Sequence, residues 1–202
     1  MRIFTHFSVV GFCNTYLIGQ EDGGPAILID PGHIDNELIS LIETNHYRID
    51  TVLLTHNHEA HIQGLGTLRK IYSPTIYAGA ANSFEYPVEK VHDDQILEIC
   101  GFHVKALYVP GHSLDSFAYL IDHAIFSGDT LESGRIAATN GFMEQELLIN
   151  TIESRLMTLN ENFLLFPGHG TISKIRIERM FNQDLLRRRT IEKARSFWRS
   201  EE

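Results

Sequence analysis

The chain has 202 residues, of which 43% are hydrophobic, and its formal net charge is −9 at pH 7. This composition is typical of a globular domain with a sizeable core, and the acidic balance disfavours nucleic acid as a partner. No segment approaches the roughly 18 apolar residues of a membrane-spanning helix. The start of the chain carries no cleavable leader pattern, and its two cysteines, Cys13 and Cys100, form no motif. We therefore expect a cytoplasmic protein with free thiols.

The first half of the chain predicts strands followed by strand–helix units. Short runs rich in β-branched and aromatic residues alternate with polar or glycine breaks, and two segments place apolar residues at helical spacing. The expected elements are strands at residues 3–10, 15–19, 26–30, 51–55 and 75–78, and helices at 34–45 and 65–72.

The second half begins near Gln95 and repeats the pattern. It predicts strands at residues 96–100, 103–109, 117–121, 124–127 and 163–166, and helices at 144–159 and 175–198. Two sheets packed face to face, with helices outside, would bury both sets of strands. We expect one α+β domain over residues 1–202, with similar halves at about 1–94 and 95–202. Three arginines, Arg187 to Arg189, fit a solvated helix end, and anion binding is the alternative.

Three of the eleven histidines fall in the segment Thr55-His56-Asn57-His58-Glu59-Ala60-His61, directly after an apolar run. Residues two apart in an extended segment point the same way, so His56 and His58 can face one ion. A helical turn beginning there would carry His61 to the other side of the site. Because imidazole binds zinc, iron, copper and nickel, this spacing favours a metal site over isolated surface histidines.

Three more polar residues follow apolar strands, and each has glycine immediately before it. They are His112 in Pro-Gly-His-Ser, Asp129 in Ser-Gly-Asp-Thr and His169 in Pro-Gly-His-Gly. Glycine permits a sharp exit from a strand and a close approach of the backbone to the site. Ligands at strand ends are rigidly supported and open to a cleft. We therefore add these residues to the expected metal site.

These motifs resemble the metallo-β-lactamase superfamily, and within it the small glyoxalase-II-like hydrolases. The match covers most of the chain and includes Asn14-Thr15-Tyr16-Leu17-Ile18 and the Ile29-Asp30-Pro31-Gly32 turn. The resemblance implies a four-layer αββα sandwich with the metal site at one edge of the two sheets. It implies a first metal on His56, His58 and His112 and a second on His61 and His169. Asp129 would bridge the two ions and is the expected catalytic residue.

The chain departs from the family pattern HxHxDH, because Ala60 stands where the family has the second metal's aspartate. Glu59 is one residue early and, in a helix, points about 100° away from that position. Loss of a residue that only orients a metal ligand typically lowers metal affinity by about 10–100-fold. Loss of a ligand itself should lower the affinity of the second site at least as much. We expect a tight first site and a weak, labile or water-completed second site. Zinc, as one or two ions, is the expected metal, with iron or manganese as alternatives.

The resemblance implies hydrolysis of a small-molecule ester, thioester or lactone. One alternative is an iron oxidase of the persulfide dioxygenase type, with His56, His112 and Asp129 as its ligands. Another is a degenerate member that binds a metal without turnover, which Ala60 alone supports. A nuclease is disfavoured for two reasons. The chain is acidic, and the forty positions between Asp129 and His169 leave no room for an inserted substrate-clamping domain. A homodimer is left open.

Overall fold

The computed structural model describes residues 1–199, and it describes side chains as far as residue 191. A first sheet takes its six strands in chain order. These are Arg2–Phe7 (β1), Asn14–Gly19 (β2), Gly24–Ile29 (β3), Tyr47–Leu53 (β4), Thr75–Ala78 (β5) and Glu89–Lys90 (β6). The β1–β2 and β2–β3 pairs are antiparallel, whereas β3 to β6 run parallel.

A second six-stranded sheet comes from the later part of the chain. This part of the chain forms eight strands, of which six belong to the sheet. They are Ile96–Ile99 (β7), Phe102–Tyr108 (β8), Phe117–Ile121 (β9), Ala124–Gly128 (β10), Leu131–Glu132 (β11), Arg135–Ile136 (β12), Leu164–Pro167 (β13) and Ser173–Lys174 (β14). The spatial order of the sheet is β14-β13-β10-β9-β8-β7, and β11 with β12 forms a separate hairpin. Only the β10–β13 pair in this sheet, as far as the chain is described, is parallel.

Helices cover the outer faces of both sheets. They are Asn36–Thr44 (α1), Glu59–Ile62 (α2), Leu65–Ile71 (α3), Phe142–Thr151 (α4), Ile175–Phe181 (α5) and Gln183–Arg199 (α6). A 3-10 turn spans Ala81–Ser83, and a π-helical turn, Ile152–Leu156, follows α4. None of the helices in the described part of the chain combines the length and the apolar character needed to cross a bilayer.

Side-chain alternation along the strands builds three apolar layers. In β2, Tyr16 and Ile18 enter the layer between the two sheets, where they meet Phe126 of β10. Leu17, between them in sequence, faces the opposite way and packs with Leu38 of α1. A third layer lies between the second sheet and the helices α4 to α6. The expected αββα sandwich of the α+β class is therefore confirmed.

The first strand is shorter than expected, because the chain turns after Phe7. The Ser8 hydroxyl donates to the Val10 carbonyl at 2.7 Å and accepts from the Val10 N–H at 3.1 Å. The Ser8 N–H donates across the turn to the Cys13 carbonyl at 2.9 Å. Ser8 is thus engaged by its own neighbours rather than by a strand partner. The expected strand at residues 3–10 was wrong beyond Phe7.

The long final helix expected at residues 175–198 is instead two helices that meet at Asn182. The buried Asn182 side chain donates to Glu178 at 2.9 Å and accepts from the Leu185 N–H at 3.3 Å, so it caps the first turn of α6. The expected helix at 144–159 also differs, since its α-helical part ends at Thr151.

Two of the three arginines near the C-terminus are paired with acidic side chains, whereas Arg187 is exposed. Arg188 pairs with Glu146 of α4, and Arg189 pairs with Glu153 in the π-helical turn at 3.4 Å. Both side chains therefore join α6 to the segment that begins with α4. These pairs correct the expectation of a solvated helix end for Arg188 and Arg189, but not for the exposed Arg187.

We predict that Asn182→Ala lowers the free energy of unfolding by about 1–2 kcal/mol, because it removes a buried cap. Urea unfolding followed by circular dichroism measures the change. Asn150→Ala, at an exposed position on α4, is the matched control and should shift stability by less than about 0.5 kcal/mol. Equal unfolding midpoints for the two variants would contradict the capping role.

Candidate metal centre

The histidine segment leaves the end of β4 and enters α2. His58 still has extended backbone, with φ −93° and ψ 145°, immediately before the helix begins. His56 and His58 therefore project from extended chain, and His61 projects from the helical turn. His56 and His61 are buried, whereas His58 is exposed. This local geometry is the one expected from the spacing of the three histidines.

The second sheet supplies the other three predicted residues just beyond the ends of β8, β10 and β13. Glycine is required where two of these strands end, because the chains approach very closely. A Cβ on Gly128 would lie 2.3 Å from the Thr55 hydroxyl oxygen, and one on Gly168 would lie 2.4 Å from Asp129 Oδ1. A larger residue at Gly128 would push Thr55 away, and one at Gly168 would displace the Asp129 carboxylate. His112, Asp129 and His169 thus reach the site because of the glycines before them.

A first group of donors consists of His56, His58, His112 and Asp129, whose candidate ligand atoms all lie within 4.8 Å of one another. His58 Nδ1 is 2.9 Å from His56 Nε2 and 3.0 Å from His112 Nε2. Asp129 Oδ2 is 3.6 Å from the Nε2 atoms of both His56 and His112. Ligands about 2.0–2.2 Å from a tetrahedral zinc ion are separated by roughly 3.3 Å. The four donors therefore fit one ion.

A second group consists of His61, Asp129 and His169. His61 Nε2 is 3.3 Å from Asp129 Oδ1, and His169 Nε2 is 3.4 Å from Asp129 Oδ2. His61 Nε2 and Asp129 Oδ1 are both buried without a hydrogen-bond partner. Buried polar atoms are costly when they are unpaired. A cation between these atoms would satisfy both, so this group also fits a metal, although it offers fewer ligands.

Four of the five imidazoles have Nδ1 held by a neighbouring group, which leaves Nε2 facing the site. His112 Nδ1 donates to the Ala138 carbonyl at 2.9 Å, and His169 Nδ1 donates to the Phe12 carbonyl at 2.8 Å. His56 Nδ1 lies 3.1 Å from the Thr55 hydroxyl. Such contacts fix the tautomer and the orientation of a metal-binding histidine. The rings are thus arranged for coordination before any ion enters.

The fourth such contact involves Asp30, which sequence reasoning did not assign to the site. Its buried carboxylate accepts from the Thr55 N–H at 2.8 Å, from the Thr55 hydroxyl at 2.6 Å and from His61 Nδ1 at 3.0 Å. The same hydroxyl contacts His56, so Asp30 orients one histidine of each donor group. A usable signal existed, because the Asp30-Pro31-Gly32 turn also places a polar residue directly after an apolar strand.

The charges around Asp129 favour a cation at the second group. Burial alone would lower the pKa of His61, but the carboxylates of Asp30 and Asp129 outweigh it and raise that pKa to about 10. At His56 the Asp129 carboxylate compensates only in part, and burial together with the charge of His61 lowers the pKa to about 2. Burial would raise the pKa of Asp129, yet the neighbouring His169 and His61 imidazoles, 3.4 and 3.3 Å from its oxygens, hold it well below its usual range. The carboxylates of Asp30 and Asp129 therefore create a negative potential beside His61 that would stabilise a bound cation.

The position of the missing aspartate is not filled by its neighbour. Glu59 is exposed at the start of α2 and belongs to neither donor group. The Ala60 carbonyl accepts a hydrogen bond from the Cys13 thiol at 2.7 Å. Burial raises the pKa of Cys13 to about 12, so its sulfur is held as a neutral thiol. The second group consequently lacks one carboxylate relative to the family pattern.

The chain belongs to the metallo-β-lactamase superfamily, whose family model matches residues 8–169. The crystal structure of ETHE1 from Myxococcus xanthus superposes with a TM-score of 0.81 at 26% identity, covering 91% of this chain and 84% of that one. The family consists largely of metal-binding hydrolases. In this chain the six site residues predicted from the sequence form the two donor groups described above.

Two relatives carry hydrolase or thioesterase names. A hydroxyacylglutathione hydrolase of Klebsiella pneumoniae is 31% identical over 129 residues, which is 63% of this chain and 51% of the relative. An atrochrysone carboxyl ACP thioesterase of Aspergillus fumigatus is 30% identical over 167 residues, covering 79% of this chain and 51% of the relative. The matched regions thus span about half the length of both relatives.

We predict that Asp30→Asn weakens both the fold and the site, because it places an amide N–H₂ opposite groups that donate to the carboxylate. The metal-free protein should lose about 2 kcal/mol in urea unfolding, and its metal affinity should fall about 10–100-fold in competition with a chelator. Asp50→Asn, in the surface pair with Arg48, is the control and should change neither value appreciably. Equal metal affinity in the two variants would exclude the orienting role.

Proposed function

We propose that this protein is a metal-dependent hydrolase of small-molecule acyl esters, and of thioesters in particular. The observation that carries the proposal is the position of Asp129, whose two oxygens face both donor groups. A carboxylate so placed could serve as a ligand to a cation in each group. We propose zinc as the metal, because histidine-rich sites with one carboxylate suit it well.

The residues of the chain then have separate tasks. When bound, such ions lower the pKa of water toward about 7 and polarise a substrate carbonyl. His56, His58, His112 and Asp129 would hold the first ion, and His61 and His169 would complete the second with Asp129. In the reaction the acyl C–S or C–O bond breaks and a C–O bond to water forms. Water also supplies the proton of the released thiol or alcohol.

The relatives favour thioesters over the other acyl compounds. Both named relatives act on thioesters according to their names, one on a glutathione conjugate and one on an acyl carrier protein conjugate. Because the matched regions span about half of each relative, we carry over only the acyl-transfer chemistry. The alcohol or thiol part of the substrate is left to direct assay.

We predict that the two ions are held unequally, because Ala60 removes a ligand from the second group alone. After loading with Zn²⁺ and exhaustive dialysis, elemental analysis should find about one ion per chain. Ala60→Asp should raise the retained content toward two. Two ions retained equally tightly by the unaltered protein would contradict this part of the proposal.

We predict that Asp129→Asn lowers kcat/KM for thioester hydrolysis by at least about 100-fold, because an amide neither bridges two cations nor balances their charge. Hydrolysis is followed with a thiol reagent on glutathione and N-acetylcysteamine thioesters. Asp122→Asn, at the exposed turn between β9 and β10, is the matched control and should retain full activity. Absence of hydrolysis in the metal-loaded protein across esters, thioesters and lactones would overturn the proposed function.

A second candidate is a mononuclear-iron oxidase of the persulfide type. It is favoured by one observation, that Asp129 Oδ2 lies at the same distance, 3.6 Å, from His56 Nε2 and His112 Nε2. Two histidines and a carboxylate are the ligand set of many non-haem iron oxygenases. Iron content after expression, together with oxygen uptake on glutathione persulfide, distinguishes this chemistry from hydrolysis. A member without turnover would show neither activity and would still bind metal.

A further inference from the structure

A cavity of about 700 Å³ opens beside the first donor group, with His58 and Asn57 in its wall. Its volume lies within the roughly 300–1,000 Å³ typical of small-molecule sites. The far wall comes from the first sheet, through the residues after β5 and the strand β6. Val91, which follows Lys90 on that wall, and Phe117 of β9 are both buried and supply apolar lining. The cavity is therefore placed to receive the part of a substrate that extends away from the reacting carbonyl.

One cation on this wall has no charge partner. Lys90, on β6, is exposed and makes no side-chain hydrogen bond or ion pair with the residues that the structure describes. The two acidic residues that line the cavity are already engaged. Asp93 accepts from the Tyr108 N–H at 2.9 Å and pairs with Arg155, and Asp115 accepts from the Asn57 N–H at 2.9 Å.

The unpartnered ammonium matters because the chain as a whole is acidic, with a formal net charge of −9. Within the cavity an anion can reach the Lys90 ammonium, and the charge of Asp93 is already balanced by Arg155. The apolar lining beside it suits a short hydrocarbon segment. Together these features describe a pocket for a ligand with an anionic end, an apolar middle and a reacting carbonyl at the donor group.

We propose that Lys90 binds an anionic group of the substrate, a carboxylate or phosphate several bonds from the scissile carbonyl. This inference rests on the proposed hydrolase function and adds the substrate class to it. The anion has two possible sources, the acyl part or the thiol part of a thioester. Lys90 is a specificity-determining residue in either case, since it recognises the same chemistry.

Three probes separate the sources of the anion. S-succinyl-N-acetylcysteamine carries it on the acyl side, S-acetylglutathione carries it on the thiol side, and S-butanoyl-N-acetylcysteamine is neutral. For the anionic probe that the pocket accepts, Lys90→Ala should raise KM about tenfold and leave kcat within about twofold, as expected for one charge-assisted hydrogen bond. The neutral probe should be unaffected. Lys90→Arg should restore most of the affinity.

Lys70→Ala, at an exposed position on α3 away from the cavity, is the matched control and should leave every KM unchanged. Calorimetry with non-hydrolysable thioether analogues of the three probes adds a readout that is independent of turnover. The accepted anionic analogue should bind the unaltered protein about tenfold more tightly than Lys90→Ala. Equal effects of Lys90→Ala on anionic and neutral compounds, or no effect on any, would overturn the inference. Binding selectivity without hydrolysis would instead refute the hydrolase function and leave the anion site standing.

Discussion

The buried carboxylate of Asp30 holds together the three chain segments on which the site depends. It lies at the end of β3, receives two hydrogen bonds from Thr55 at the end of β4 and a third from His61 in α2. A buried charge is tolerated only where several donors surround it. The hydrogen bonds that stabilise the buried Asp30 carboxylate therefore also fix the geometry of the histidine segment. Thr55 extends this effect to His56, because its hydroxyl contacts both Asp30 and the His56 ring.

The sequence identifies the expected ligands because each sits at the end of an apolar strand with its own local signal. His112, Asp129 and His169 are marked by the glycine before them, and the close contacts at Gly128 and Gly168 show why that residue is needed. The local sequence pattern does not reveal a residue's role when its contacts are with residues far away in the chain. Asp30 finds its donors 25 and 31 positions away, and no periodicity reports that contact.

The predicted ends of two secondary-structure elements were wrong for a related reason. The break at Asn182 separates two segments that both have helical spacing, and a single buried amide that bonds Glu178 and the Leu185 N–H decides it. The end of β1 depends on the Ser8 hydroxyl, which bonds its own turn. In both places a short polar side chain satisfies backbone or neighbouring groups that a longer element would have paired. Hydrophobic spacing alone does not distinguish the two outcomes.

The site is divided between the two sheets, and this division ties metal binding to folding. The histidines at residues 56–61 follow a strand of the first sheet, whereas Asp129 and His169 follow strands of the second. The full donor set exists only once the layer around Tyr16 and Phe126 has closed, since neither half of the chain carries it alone. An ion that binds the assembled set stabilises the native state by mass action. Bound metal would thus link the two sheets and oppose their separation, whether or not substrate is bound.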